Sequence, residues 1–294
     1  MRATRAVLCL VSLWVVSAAV REGHAPSLHA ESDVHADARH VGSTNRSAGV
    51  QVYLGLGCFW ARQWASYAIE TDPHGPFARS STESTAIAGY AGGSTPSSGA
   101  VCYGNEGGQS YASLGHAEVV QLTLDASRAE AQLRALAADY FAAFHGGSGQ
   151  RFRPDVQDVG DQYRALIGLP GGASSSLYGA FAAENDARSG MTLPTGAGGD
   201  ADRWNTVYVM DTAAFPFFPA EVYHQNRCDF EMSPGMPYPD SYVLDAWKAK
   251  RAAGAYAPTG CHEDEQPRYS CPSEISGPVS EAPGARSRWR GSRR

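Results

Sequence analysis

A short apolar run that ends in Gly57-Cys58 and passes at once into Phe59-Trp60 constrains this chain more than any other segment. Gln51–Leu56 reads as a buried strand, and Gly57 permits a sharp turn out of it, because glycine carries no steric penalty at positive φ. A helix opening at Phe59 points its unpaired N–H groups and its positive dipole end at the Cys58 sulfur, which favours thiolate over thiol. Phe59 and Trp60 then wall an apolar pocket around that sulfur. The arrangement suits a reactive cysteine and a small apolar group. The plainer alternative is a buried cysteine acting as a small hydrophobe.

The rest of the chain leaves room for a core. Its 294 residues, 43% of them hydrophobic, can form one large domain or two small ones. Lysine and arginine number 24 against 30 acids, a net charge of −6, which gives no footprint for a nucleic-acid partner. The five arginines of Ala285–Arg294 read as a solvated tail.

At the other end, Arg2 and Arg5, the apolar run Ala6–Val16 and the small residues Ser17-Ala18-Ala19 have the layout of a secretory signal peptide over 1–19. The run is short for a membrane span, so no membrane association is expected after cleavage. The expected location is the secretory pathway or the extracellular space, with a plastid reached through a signal peptide as the alternative. Asn45-Arg46-Ser47 is a glycosylation sequon. Loss of the leader removes Cys9 and leaves Cys58, Cys102, Cys228, Cys261 and Cys271, an odd set that always holds a free thiol.

Residues 20–49 read as a disordered linker, 50–230 as the folded domain that carries Cys58 and 231–294 as a Pro- and Gly-rich extension. In Glu118–Leu124, alternation places Val120, Leu122 and Leu124 on one face of a strand. Ser127-Arg128-Ala129-Glu130 has the pattern of a capping box opening a helix with Leu133, Leu136, Tyr140 and Phe144 at helical spacing. Tyr163–Leu169 and Thr206–Asp211 read as further strands, and a short helix is expected around Leu177–Ala187. Strands and helices in this order predict an α+β two-layer sandwich.

Four more segments follow Gly-Cys-Phe-Trp in order: Gly89-Tyr90-Ala91-Gly92-Gly93, Gly115-His116-Ala117-Glu118, Asp158–Arg164 and Pro219–Gln225. Together they resemble the type A peptide methionine sulfoxide reductases, from about Val52 to Gln225. The resemblance implies a ferredoxin-like core with long irregular additions. It implies reduction of methionine S-sulfoxide, in proteins or as the free amino acid, through a Cys58 sulfenic acid. It further implies a monomer with no bound cofactor or metal, re-reduced by thioredoxin or another dithiol.

Residue by residue, the resemblance makes Phe59 and Trp60 the cage for the S-methyl group. Tyr90 and Tyr163 become donors to the sulfoxide oxygen, and Asp158 orients water or substrate. Cys261 becomes the first resolving thiol and Cys271 the second, with Cys228 as a competitor and Cys102 without a catalytic role. His116, Glu118, Glu221 and His224 become scaffold. The resemblance also assigns the proton donor to a glutamate at position 63, where this chain has Gln63, which cannot release a proton. A second reading follows from that departure: a catalytically weakened relative that binds methionyl side chains or acts as a thiol–disulfide partner.

Overall fold

The computed structural model describes residues 49–104, 110–146, 158–198, 205–227, 238–256 and 259–262. The expected leader, nearly all of the linker, the Asn45 sequon, Cys228 and Cys271 lie outside the described residues.

Among the described residues six strands form one mixed sheet: β1 (Val50–Gly55), β2 (Ile87–Ala91), β3 (Ala117–Leu124), β4 (Leu166–Leu169), β5 (Tyr208–Asp211) and β6 (Phe218–Pro219), in the order β5-β4-β1-β3-β2-β6. Neighbours are antiparallel except β4 and β5, which run parallel. Four α-helices among the described residues accompany the sheet: α1 (Phe59–Thr71), α2 (Ala129–Ala142), α3 (Tyr178–Arg188) and α4 (Trp247–Ala252). The fold is α+β.

The two faces of the sheet follow the period of two in the strands. Val52 and Leu54 of β1 join Val120, Leu122 and Leu124 of β3 in the main core, with Phe59 of α1, Leu133, Leu136 and Tyr140 of α2, and Phe181 of α3. The alternate residues Tyr53, Ala117, Val119, Leu166 and Met210 form a second cluster with Phe215 and Phe217 on the other face. Tyr53 lies across Gly168 of the paired strand, where an added Cβ would sit 2.1 Å from the ring. Its hydroxyl donates to the Phe215 carbonyl at 2.8 Å.

Three local readings change. The expected capping box does not form at α2: Arg128 is the N-cap and makes no side-chain cap bond. Gln132 reaches back instead, accepting from the Asp125 N–H at 2.7 Å and donating to the Asp125 carboxylate at 3.0 Å. The strand expected from Tyr163 begins at Leu166, because Asp161–Tyr163 coils into a 3₁₀ turn. Beyond Gln225 the chain is not all irregular. Ser241–Ala246 is a π-helical run leading into α4. Tyr238, Tyr242, Trp247 and Tyr256 bury against Tyr67 of α1, with Trp64 packed alongside. No helix among the described residues is long and apolar enough to cross a membrane.

Candidate active site

β1, an interior strand of the sheet, delivers the chain to a tight corner before α1. Gly57 adopts φ +66°, a left-handed conformation suited to glycine, and its N–H donates to the Tyr163 carbonyl at 3.1 Å. Cys58 then takes extended backbone angles as the N-cap of α1. The first turn of a helix leaves its N–H groups without partners inside the helix. Here the Trp60 and Ala61 amides favour the Cys58 thiolate, whereas the Phe59 N–H donates to Glu118 Oε2 at 2.9 Å.

Glu118 therefore shares this helix terminus with the thiol. Its other oxygen accepts from the Tyr111 hydroxyl at 3.1 Å, and the residue is 2% exposed. It stands opposite Tyr90 in the β2–β3 register. The depressed thiol pKa expected from the helix start is not what this environment produces. Burial, followed by the Glu118 charge, pushes the Cys58 thiol well above the usual cysteine range, and Asp158 adds to the rise. The Trp60 and Ala61 amides pull the other way and are outweighed.

Glu118 is the functional candidate that the sequence reading assigned to scaffold. The signal was present: the alternation that puts Val120, Leu122 and Leu124 in the core extends back two residues to a carboxyl on the same apolar face. A buried carboxyl beside a cysteine is a functional-site candidate on physical grounds.

Gln63, by contrast, is committed elsewhere. It is fully buried in α1, its Oε1 accepting from the Asn226 N–H at 2.8 Å and its Nε2 donating to the Ala86 carbonyl at 3.1 Å and Gln225 Oε1 at 3.0 Å. Both ends of the amide hold β2 and the segment after β6 onto the helix. These bonds make position 63 part of the packing between α1 and its neighbours.

Tyr90 is also drawn inward. Its hydroxyl donates to Glu221 Oε2 at 2.8 Å, its ring stacks on Tyr111 at 4.6 Å, and burial keeps its pKa well above the ordinary value. Tyr103 and Tyr111 take the nearer positions. Burial, then Glu118, then Cys58 raise the Tyr103 hydroxyl, and burial with Glu118 raises Tyr111. Tyr163 is half-buried, hydrogen-bonded to Tyr111, and raised by burial, Glu118 and Asp158. Burial and the Cys58 charge push the Tyr238 hydroxyl up to about 12. All these phenols stay protonated and able to donate at neutral pH.

Phe59 lies in the core, 1% exposed, and Trp60 stacks outward from it with centroids 6.3 Å apart. Trp60 is half-buried and is oriented twice: its Nε1 donates to His224 Nδ1 at 3.3 Å, and the Arg227 guanidinium lies 4.6 Å from its ring centroid. The remaining motif residues draw separate loops together. Arg164 donates to the carbonyls of Gly92, Gly115, Asp161 and Ala197. His116 bonds the Gly93 N–H and the Ser94 carbonyl.

Cys261 is not joined to Cys58. It forms a disulfide with Cys102, and Cys58 stays a thiol outside that bond. Glu221 places a carboxylate oxygen within 4.8 Å of both sulfurs. These three are the metal-ligand cluster among the described residues, but with the sulfurs joined the cluster has no thiolate to offer a cation.

No protein-family profile and no curated protein sequence matches the chain. Among solved structures, methionine sulfoxide reductase A of Corynebacterium diphtheriae is similar over 61% of this chain and 74% of its own, at 19% identity and a TM-score of 0.36. Mxr1 from Saccharomyces cerevisiae, in reduced form, is similar over 60% of this chain and 82% of its own, at 21% identity and a TM-score of 0.34. At these scores the functional reading has to rest on the residues around Cys58.

Proposed function

We propose that the chain is a peptide-methionine (S)-S-oxide reductase, acting on oxidised methionine in proteins or as the free amino acid. The observation that carries this reading is the Glu118 carboxyl sharing the α1 terminus with the Cys58 thiol. A thiolate at Cys58 and a carboxylate at Glu118 repel one another in a buried site, so the pair tends to keep one proton between them. Sulfoxide reduction uses both members of such a pair. The Cys58 sulfur attacks the sulfoxide sulfur, and the shared proton goes to the departing oxygen through Glu118. Cys58–SH and the sulfoxide become Cys58–SOH and the thioether, a transfer of two electrons.

Trp60 supplies the apolar wall for the S-methyl group. The Tyr111 hydroxyl bonds the Glu118 carboxyl, those of Tyr103 and Tyr163 feel its charge, and in this reading the three phenols donate hydrogen bonds to the sulfoxide oxygen, with Asp158 acting on the same pocket. A resolving thiol then forms a disulfide with release of water, and thioredoxin or another dithiol reduces it; no bound cofactor is required. The order β1-α1-β2-β3-α2-β4 supports a ferredoxin-like core. We place the mature protein in the secretory pathway or outside the cell, as a monomer. The reading as a weakened relative drew on the missing acid at position 63, and Glu118 supplies a carboxyl at the thiol itself.

The test is a steady-state assay with dithiothreitol and the S- and R-epimers of N-acetylmethionine sulfoxide. The S-epimer should be reduced and the R-epimer left unchanged. Glu118→Gln should lower kcat by about 10²–10⁴-fold, the usual loss for a positioned general acid. Full activity in Glu118→Gln would overturn the assignment.

A further inference from the structure

The disulfide lies against the proposed site and does not include its nucleophile. Cys102 precedes Tyr103, whose hydroxyl feels the Cys58 charge, and Val101 belongs to the same core cluster as Cys58 and Tyr111. Cys102 is held rigidly: its carbonyl accepts from the Tyr111 N–H at 2.7 Å, and the next N–H, of Tyr103, donates to Glu221 Oε1 at 2.7 Å. Cys261, like Cys102, belongs to no helix or strand; it follows Gly260, at φ +87°, and packs beside Ala100. Cys102 is buried and Cys261 half-buried, so the Cys261 end of the bond is the one nearer to solvent. Beside the pair is Glu221, fully buried, with a carboxylate oxygen within 4.8 Å of both sulfurs.

From this arrangement we infer that Cys102 is the terminal relay thiol of the catalytic cycle, and that the Cys102–Cys261 disulfide is the form in which the protein presents its oxidising equivalents to an external dithiol. The inference rests on the sulfoxide-reductase reading of Cys58. In the first step the Cys261 thiol attacks the Cys58 sulfenic acid, forming a Cys58–Cys261 disulfide and releasing water. In the second, Cys102 gives its proton to Glu221 and its thiolate attacks the Cys261 sulfur. The Cys58–Cys261 bond breaks, the Cys102–Cys261 bond forms, and the departing Cys58 thiolate takes up a proton. The high proton affinity imposed on Cys58 by its burial and by Glu118 favours that last protonation. The outcome is the state observed here, a Cys58 thiol outside any disulfide and an oxidised Cys102–Cys261 pair.

Stoichiometry separates this relay from simple resolution. The full chain carrying Cys9→Ser, Cys228→Ser and Cys271→Ser is reduced, freed of reductant and mixed with excess N-acetylmethionine S-sulfoxide. With the relay, Cys58 is regenerated once and attacks again, so about two moles of thioether form per mole of protein. Peptide mapping should then find Cys102 joined to Cys261. Adding Cys102→Ser should halve the yield to about one mole and leave Cys58 joined to Cys261. One mole from both chains, with no Cys102–Cys261 disulfide, overturns the relay while leaving the function intact. No thioether from either chain overturns the function and the relay together.

Discussion

Gln63→Glu puts the carboxyl of the resembling motif into this chain, and the structure makes it a destabilising change with no gain in activity. The Gln63 amide nitrogen donates to the Ala86 carbonyl and to Gln225 Oε1. A carboxylate replaces that donor with an acceptor facing two acceptors, in a side chain with no exposure to water. The Ala86 carbonyl keeps its bond from Lys250 and Gln225 Oε1 keeps its bond from the Ala88 N–H, so the cost falls on the buried carboxyl oxygen that faces two acceptors: about 1–3 kcal/mol for each of the two contacts, or about 2–6 kcal/mol together. That is a large share of the ~5–15 kcal/mol by which folded proteins are stable. With a urea m-value of about 3 kcal/mol/M, the unfolding midpoint should fall by about 1–2 M.

The loss should also depend on pH with a definite sign. Burial raises the new carboxyl's pKa in the folded state, against the opposing pull of Lys250, which donates to the same Ala86 carbonyl; with burial the larger effect, the folded protein holds its proton longer than the unfolded chain does. The deficit should be smallest below the unfolded carboxyl pKa of about 4.3 and should widen as pH rises through the higher folded value. Urea titrations of wild type and Gln63→Glu at mildly acidic and neutral pH measure both quantities. An unchanged midpoint together with a raised kcat would show that position 63 reaches the substrate and that its place in the packing has been misjudged.

Thiolate absorbance near 240 nm should show the Cys58 pKa falling in Glu118→Gln, since the second largest cause of its elevation is removed; an unchanged titration would separate the two groups. Gly57→Ala forces a side chain onto φ +66°, which costs about 1–2 kcal/mol, and it should lower kcat more than its effect on stability explains, because the Cys58 corner moves; parallel melts and kinetics decide this. Lys250 is fully sequestered, donates to the Ala86 carbonyl at 2.9 Å, and has its pKa lowered to about 8, chiefly by burial and against the pull of Glu70. Its unfolded form binds the proton more tightly, so wild type should gain roughly 3 kcal/mol relative to Lys250→Met as pH rises from about 8 to 10.5; parallel stability profiles would refute it.

What could be read along the chain and what could not divide by mechanism. β1, the Gly57 corner and the start of α1 were legible because an apolar run, a glycine and an aromatic pair each carry local meaning. β2 was missed because Gly89 interrupts its pattern, although the strand suits that glycine: an added Cβ would sit 2.3 Å from the Phe218 carbonyl oxygen. The docking of Tyr238, Tyr242 and Trp247 onto Tyr67 was hidden by the prolines that flank the segment. Glu118 was legible in principle from alternation, but a motif comparison had directed attention to position 63. The roles of Arg164 were not legible at all, since its partners are backbone carbonyls, which have no sequence signature. Nor does cysteine spacing disclose which thiols pair.

The Cys102–Cys261 bond joins positions 159 residues apart, so it encloses most of the folded chain in one covalent ring. By chain entropy a closure of that length limits the unfolded ensemble by about 5 kcal/mol. If the bond opens and closes once per turnover, thermal robustness oscillates with the redox state. The protein is best protected against unfolding while it waits for reductant, and after each reduction it meets its first substrate in its more fragile form. Shortage of reductant would then conserve the molecule even as it halts the work.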